Sequence, residues 1–233
     1  MLPILLERLS APTPIQYEAL WAITNIASGT SEQTRAVTPA LSKVAELIRS
    51  RNDEISEQAV WCIGNIAGDN YISRDRVLQA GALEALVAIL GRLSVKATEK
   101  ISLLRNAVWT LSNCCRGKPP PELDLVRPAL PALAKTLWET DTEVLGDACW
   151  ALSYVSDGSN DRLQAVIDAG VLTQIVRPLT PSDCYTIIAS IATLSYCAVV
   201  ADADFSSRAC CRMFCRYACW SMSRRPSSHL LCG

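Results

Sequence analysis

Four segments decide the fold: EALWAITNIASG at Glu18–Gly29, QAVWCIGNIAGD at Gln58–Asp69, NAVWTLSNCCRG at Asn106–Gly117 and DACWALSYVSDG at Asp147–Gly158. Each sets a tryptophan four residues ahead of a polar side chain: Trp21 with Asn25, Trp61 with Asn65, Trp109 with Asn113 and Trp150 with Tyr154. Successive tryptophans lie 40, 48 and 41 residues apart. The segments are helical by pattern: in the second, Ala59, Val60, Ile63, Ile66 and Ala67 recur at steps of three and four. Gly29, Gly68, Gly117 and Gly158 stand near the end of each copy, where a helix stop is expected.

Between the copies the pattern predicts shorter helices. Arg74–Gly91 reads as a short helix broken at Gly81 and then a longer one, and Asp161–Leu179 repeats this around Gly170. Glu122–Trp138 uses Pro128 as the break, because proline cannot continue a helix interior. Ala36–Ile48 lacks a central glycine and is slightly short, so Pro39 is the candidate break there. Each unit is a short helix, a second helix and a longer third helix. A period in the low forties with three helices predicts an all-α, right-handed superhelical armadillo-repeat solenoid of about four repeats, rather than the two-helix HEAT unit.

Residues four apart share one helix face. Stacked repeats therefore align their third helices along a concave surface, with the Trp and Asn positions as parallel ladders. An Asn amide carries both donor and acceptor and can hold the backbone of an extended peptide whatever its sequence. Slots between Trp rings suit Lys or Arg stems, with a cation–π gain of roughly 0.5–2 kcal/mol each. Asp69, Glu143 and Asp147 fall beside the ladder and would hold the cationic heads. The ligand so predicted is an extended Lys/Arg-rich peptide. A single Trp at apolar helical spacing is ordinarily core. An Asn repeated in one register is harder to explain by packing, because a buried amide needs partners.

Composition narrows the function further. The chain has 233 residues, a net charge of −1 and 50% apolar residues, which excludes wholesale disorder and a globally basic nucleic-acid binder. His229 is the one histidine, and no nucleophile–base pair or phosphate-binding glycine loop is present, so an enzyme reading finds no machinery and no cofactor is implied. No secretory signal is visible, and the four scattered cysteines before residue 184 suit a reducing compartment. The 18 uncharged residues from Cys184 to Ala201 read as a buried helix rather than a membrane span.

The strings Ala19–Thr34, Ser56–Asp69, Leu104–Pro121 and Glu143–Asp161, taken in order, resemble importin alpha, the armadillo adaptor for nuclear localisation signals. The resemblance covers roughly residues 1–179 and implies a receptor of the cytoplasm and nucleus for cargo with basic signals. It implies aromatic slots from Trp21, Trp61, Trp109 and Trp150, with Asn25, Asn65 and Asn113 holding the signal backbone, helped by Asn106 and Gln58. It implies that Gly29, Thr34 and Asp69 receive the dominant lysine, and that Asp147 and Tyr154 line the far end. Alternatively, Gly29 and Thr34 are turn residues and Asp69 is a capping or surface charge. Importin beta is a partner of the family, but nothing basic precedes Leu2, so its docking segment is expected to be missing.

The pattern ends near Leu179. Residues 1–179 hold 17 Lys+Arg against 20 Asp+Glu, whereas residues 180–233 hold 5 against 3, and the last 50 residues contain seven of the eleven cysteines. The chain therefore divides into a repeat region, 1–179, and a Cys-rich tail, 180–233, helical or disordered, of a kind that an altered reading frame or splice end produces. Cys211, Cys215 and Cys219 lack the paired spacing of a structural zinc site, so no metal is expected. The competing reading is another armadillo scaffold that binds acidic partners; Arg105 and Arg116 near the third copy are its raw material.

Overall fold

The computed structural model describes residues 2–93 and 100–171. Among these, every regular element is a helix. Helices α1 (Leu2–Arg8) and α2 (Thr13–Ala27) open the chain. Three triplets follow: α3 (Ser31–Ala36), α4 (Leu41–Leu47) and α5 (Asp53–Asp69); α6 (Tyr71–Gln79), α7 (Ala82–Arg92) and α8 (Ile101–Cys115); α9 (Leu123–Val126), α10 (Leu130–Thr136) and α11 (Thr142–Ser156). Helix α12 (Asn160–Asp168) begins the next unit. The long helices α2, α5, α8 and α11 pack against one another in succession, which makes the chain an all-α armadillo-repeat solenoid.

The breaks lie where the residue chemistry puts them. Gly81 separates α6 from α7 at φ +73°, a left-handed conformation that favours glycine. Pro39 and Pro128 each sit in a 3-10 turn, Thr38–Ala40 and Arg127–Ala129, between the first and second helices of their units. Gly170 follows α12 at φ +71°; the helix expected beyond it lies outside the described residues, as does the whole tail from 180.

The core follows the tryptophan register. The residue before each ladder Trp is Leu20, Val60, Val108 or Cys149, and the residue two after is Ile23, Ile63, Leu111 or Leu152; all eight are 0% exposed. Full burial of an aliphatic side chain contributes about 1.5–3 kcal/mol. The Trp itself, about 100° or more away around the helix from these positions, is left on the groove side. Cys62, Cys114 and Cys115 are buried free thiols, Cys149 is buried as well, and burial pushes Cys62 and Cys115 up to about 12.

One helix stop differs from expectation. Gly29, Gly117 and Gly158 each lie two residues past their helices, but Gly68 is inside the last turn of α5. The register explains this. Eight residues after the ladder Trp stand Gly29, Gly117 and Gly158 in three copies and Asp69 in the second. Gly117 and Gly158 adopt φ +116° and +141°, which end the helix; with Asp69 at that point, α5 runs on to Asp69.

Candidate peptide-binding groove

Helix packing positions the ladder. Trp21 and Trp61 are 47% and 43% exposed, an unusual display for a large aromatic ring, whereas Trp109 and Trp150 are half-buried. Gly64 accounts for Trp109: a Cβ added there would lie 2.2 Å from its ring and 2.6 Å from Thr110 Oγ1, so only glycine lets α8 seat so closely. Gly68, one turn on, lies beneath Asn113, whose Nδ2 would be 3.1 Å from an added Cβ. Trp150 stacks on Tyr154, with centroids 5.8 Å apart and planes at 26°. Burial pushes the Tyr154 hydroxyl above its ordinary range.

The asparagines share a second regularity. Asn65 Nδ2 donates to Thr24 O at 3.3 Å, and Asn113 Nδ2 donates to Gly64 O at 3.1 Å. Both acceptors stand three residues after the Trp of the preceding copy. One amide hydrogen thus stitches neighbouring repeats together, so packing does account for part of the ladder. The other N–H and Oδ1 of each amide are the groups with which a ligand backbone could pair. Asn25 is exposed on α2.

Between the α2–α3 turn, the end of α5 and the face of α8 lies a pocket of about 310 Å³. Gly29, Thr34, Asn65, Asp69, Trp109, Asn113 and Arg116 are among its lining residues. The structure therefore brings together seven residues, six of which the sequence had singled out as ligand contacts. Thr34 is buried, and its hydroxyl donates to Ala27 O at 3.0 Å. Asp69 accepts from Ser31 Oγ at 2.5 Å, Asn70 Nδ2 at 2.6 Å and Ser73 Oγ at 3.4 Å. Arg116 donates from Nη2 to Gly68 O at 2.9 Å and supplies a cation beside the acid.

Other candidates stand elsewhere. Gln58 is buried, and its amide donates to Thr24 Oγ1 at 2.8 Å, so it braces α2 against α5 and does not line the pocket. Asn106 donates to Glu57 Oε1 at 3.1 Å, again across a repeat junction. Asp147 is half-buried on α11, beside the Trp150–Tyr154 stack. Glu143 is paired with Arg105 at 3.3 Å, and Arg105 also binds Asp141 at 2.6 Å, so these charges join α8 to the start of α11.

Two arginines escaped sequence reasoning. Arg74 is 1% exposed, and its Nη1 donates to Arg116 O and Pro119 O, both at 2.8 Å. Arg162, also buried, donates from Nη2 to Pro121 O. Together they tie down the 116–121 turn from which the Arg116 side chain projects into the pocket. In the sequence both look like ordinary solvated charges on short helices, and spacing carries no signal for them. Among the described residues no helix is long and apolar enough to cross a membrane, and no group of three metal-ligating side chains forms; Cys184–Ala201 and the tail cysteines lie outside those residues.

Known proteins share the repeat fold. The HEAT-like repeat family matches residues 13–66, and the Armadillo/beta-catenin-like repeat family matches residues 73–116. Importin subunit alpha-2 of Arabidopsis thaliana is 55% identical over 167 residues, 71% of this chain and 30% of that protein. The chain is an armadillo-repeat homologue of importin alpha. A second importin alpha relative, importin subunit alpha-1b of Oryza sativa subsp. japonica, is 47% identical over 182 residues, 77% of this chain and 33% of its own length. The importin alpha homologue thus spans about a third of the curated relatives it matches. Among solved structures, a designed armadillo repeat protein matches with TM-score 0.81 at 27% identity, over 98% of this chain and 94% of its own. Another, in complex with the peptide (KR)4, matches with TM-score 0.76 at 26% identity, over 99% and 93%.

Proposed function

We propose that this chain binds nuclear localisation signals, holding Lys/Arg-rich cargo segments extended along the groove as an adaptor between cytoplasm and nucleus. The observation that carries the reading is the pocket where the Asp69 carboxylate, the Asn65 and Asn113 amides and the Trp109 ring converge. A lysine there would meet a charge for its ammonium and an aromatic wall for its stem, while the asparagines pair with the peptide backbone. Trp21, Trp61, Asn25 and Gly29 extend the same surface towards the N-terminal end, and Trp150, Tyr154 and Asp147 towards the other. The designed armadillo protein solved with (KR)4 supports this ligand class. The role is binding, not catalysis. Transport would further require importin beta, so that partner belongs to the same proposal.

An acidic ligand would draw on Arg116 instead, but that guanidinium already donates to Gly68 O beside Asp69. Fluorescence anisotropy with labelled (KR)4 separates the two. Asp69→Lys should weaken binding by at least about tenfold, because it sets like charges together. Trp61→Ala combined with Asn65→Ala should do the same. Unchanged affinity in either would sink the groove assignment.

A further inference from the structure

We propose that Ser31 is a positioning residue of this groove: its hydroxyl, presented from the start of α3 in the same triplet, fixes the Asp69 carboxylate for a ligand ammonium. The inference rests on the signal-binding reading above and deepens it. Ser31 Oγ donates to Asp69 Oδ1 at 2.5 Å across 38 residues of sequence, while Asn70 and Ser73 donate to Oδ2 from the other side. Both oxygens are therefore held, and the carboxylate plane is set from two repeats at once. An ionised carboxylate has about four acceptor sites. Three are taken by these donors, which leaves capacity for one more. All three donors are neutral, so they orient the carboxylate without cancelling its charge. Asp157 provides the contrast, since Lys118 Nζ lies 2.5 Å from its Oδ2 and supplies the counter-charge within the chain.

Ser31 is itself held in place. It is the first residue of α3, whose capping box joins Thr30 Oγ1 to Gln33 N and Gln33 Oε1 to Thr30 N at 2.8 Å. A Cβ at Gly29 would come within 2.1 Å of that Gln33 Oε1 and 3.3 Å of Ile26 O, so Gly29 permits the tight turn that aims Ser31 at α5. Gly29 thus serves the pocket by placing its neighbour as well as by lining it. The side chain of Ser31 is exposed, so its removal leaves no buried group unpaired.

The test is labelled (KR)4 anisotropy on the full chain, with thermal unfolding alongside. Ser31→Ala should weaken binding about fivefold, the scale of one ordinary net hydrogen bond, and leave the unfolding temperature nearly unchanged. Ser31→Thr, which keeps the hydroxyl, should restore affinity. In an Asp69→Asn background, Ser31→Ala should have little further effect, because the two residues act as one unit. If Ser31→Ala binds like the native chain while Asp69→Asn is weakened, Ser31 has no positioning role and the groove reading stands. An undiminished Ser31→Ala loss in the Asp69→Asn background also overturns it, since the effect then does not pass through Asp69. If Asp69→Asn itself binds normally, the groove reading fails and takes this inference with it.

Discussion

At the end of α5, Asp69 accepts from three neutral side chains while the neighbouring Arg116 bonds to Gly68 O, Trp61 is 43% exposed and Asn65 keeps an N–H and a carbonyl beyond its contact to α2. At the matching end of α11, Asp157 is paired with Lys118, Trp150 is half-buried and Tyr154 stacks on it. The two helices share one register, with the same core positions fully buried. The repeat therefore supplies the geometry of a ladder, and single residues decide whether a rung is open to a cationic side chain or already filled from within. Tyrosine in place of asparagine removes the two-sided backbone clamp and adds a ring that occupies the slot.

The largest effect should come from the seat beneath Trp109. Gly64→Ala puts a methyl 2.2 Å from that ring and 2.6 Å from Thr110 Oγ1, so α8 must move off α5. Overpacking of this kind costs about 1–3 kcal/mol. The equivalent position on α8 is Ser112, buried with its side chain already accommodated. Ser112→Ala should change stability by less than about 1 kcal/mol. Denaturant midpoints of the two variants check this; equal losses would show that the repeat junctions are interchangeable.

Tyr154→Asn tests the ladder itself. The new amide should find the carbonyl of Ser112, as Asn113 finds Gly64 O, and open the slot beside Trp150. Loss of the stacked pair should cost about 0.5–1.5 kcal/mol of stability. Affinity for (KR)4 should nevertheless rise, by about threefold, the scale of one added net hydrogen bond. A fall in affinity would mean that the tyrosine, as it stands, is a better rung than asparagine.

The solenoid was legible because its signal is repeated. Trp at four positions, with apolar residues before and after it in a constant register, leaves little freedom in where the core must lie. The proline and glycine breaks at Pro39, Gly81 and Pro128 were readable for the same local reasons. The pocket was legible in part: Gly29, Thr34, Asn65, Asp69, Trp109 and Asn113 converge, but Gln58 turns inward. Whether an amide three residues before a Trp faces the groove or the neighbouring helix depends on what the next repeat offers, here the Thr24 hydroxyl. The buried roles of Arg74 and Arg162 were not legible, because each depends on carbonyls 41 to 45 residues away in a turn whose path no periodicity describes. Gly68 was read as a helix stop because it stands next to the position that ends the other copies; one residue of register separates a stop from a seat for Asn113.

The smallest expected effect separates the two repeat junctions by pH. Between α5 and α8, Glu57 accepts from Ser102 and Asn106, neutral donors, and the Lys100–Asp53 ion pair at 2.8 Å is exposed on both partners, where such pairs contribute little. Between α8 and α11, Asp141 accepts from Arg105 and also caps α11 at Val144 N. The Arg105 hydrogen bond holds the Asp141 carboxyl below its usual range. A carboxyl depressed in the folded state stabilises the fold above the ordinary carboxylate range, and that contribution is lost as pH falls through the lowered value. Asp141→Asn keeps a side chain that caps helices as well as aspartate does, but it cannot titrate. The native chain should therefore be slightly the more stable at neutral pH. The difference should shrink to nothing as the pH is lowered past that point, while other carboxylates destabilise both chains alike. Denaturant midpoints across the acidic range measure it. A constant difference at every pH would assign the role of Asp141 to capping alone and leave the α8–α11 junction no more charge-dependent than its neighbour.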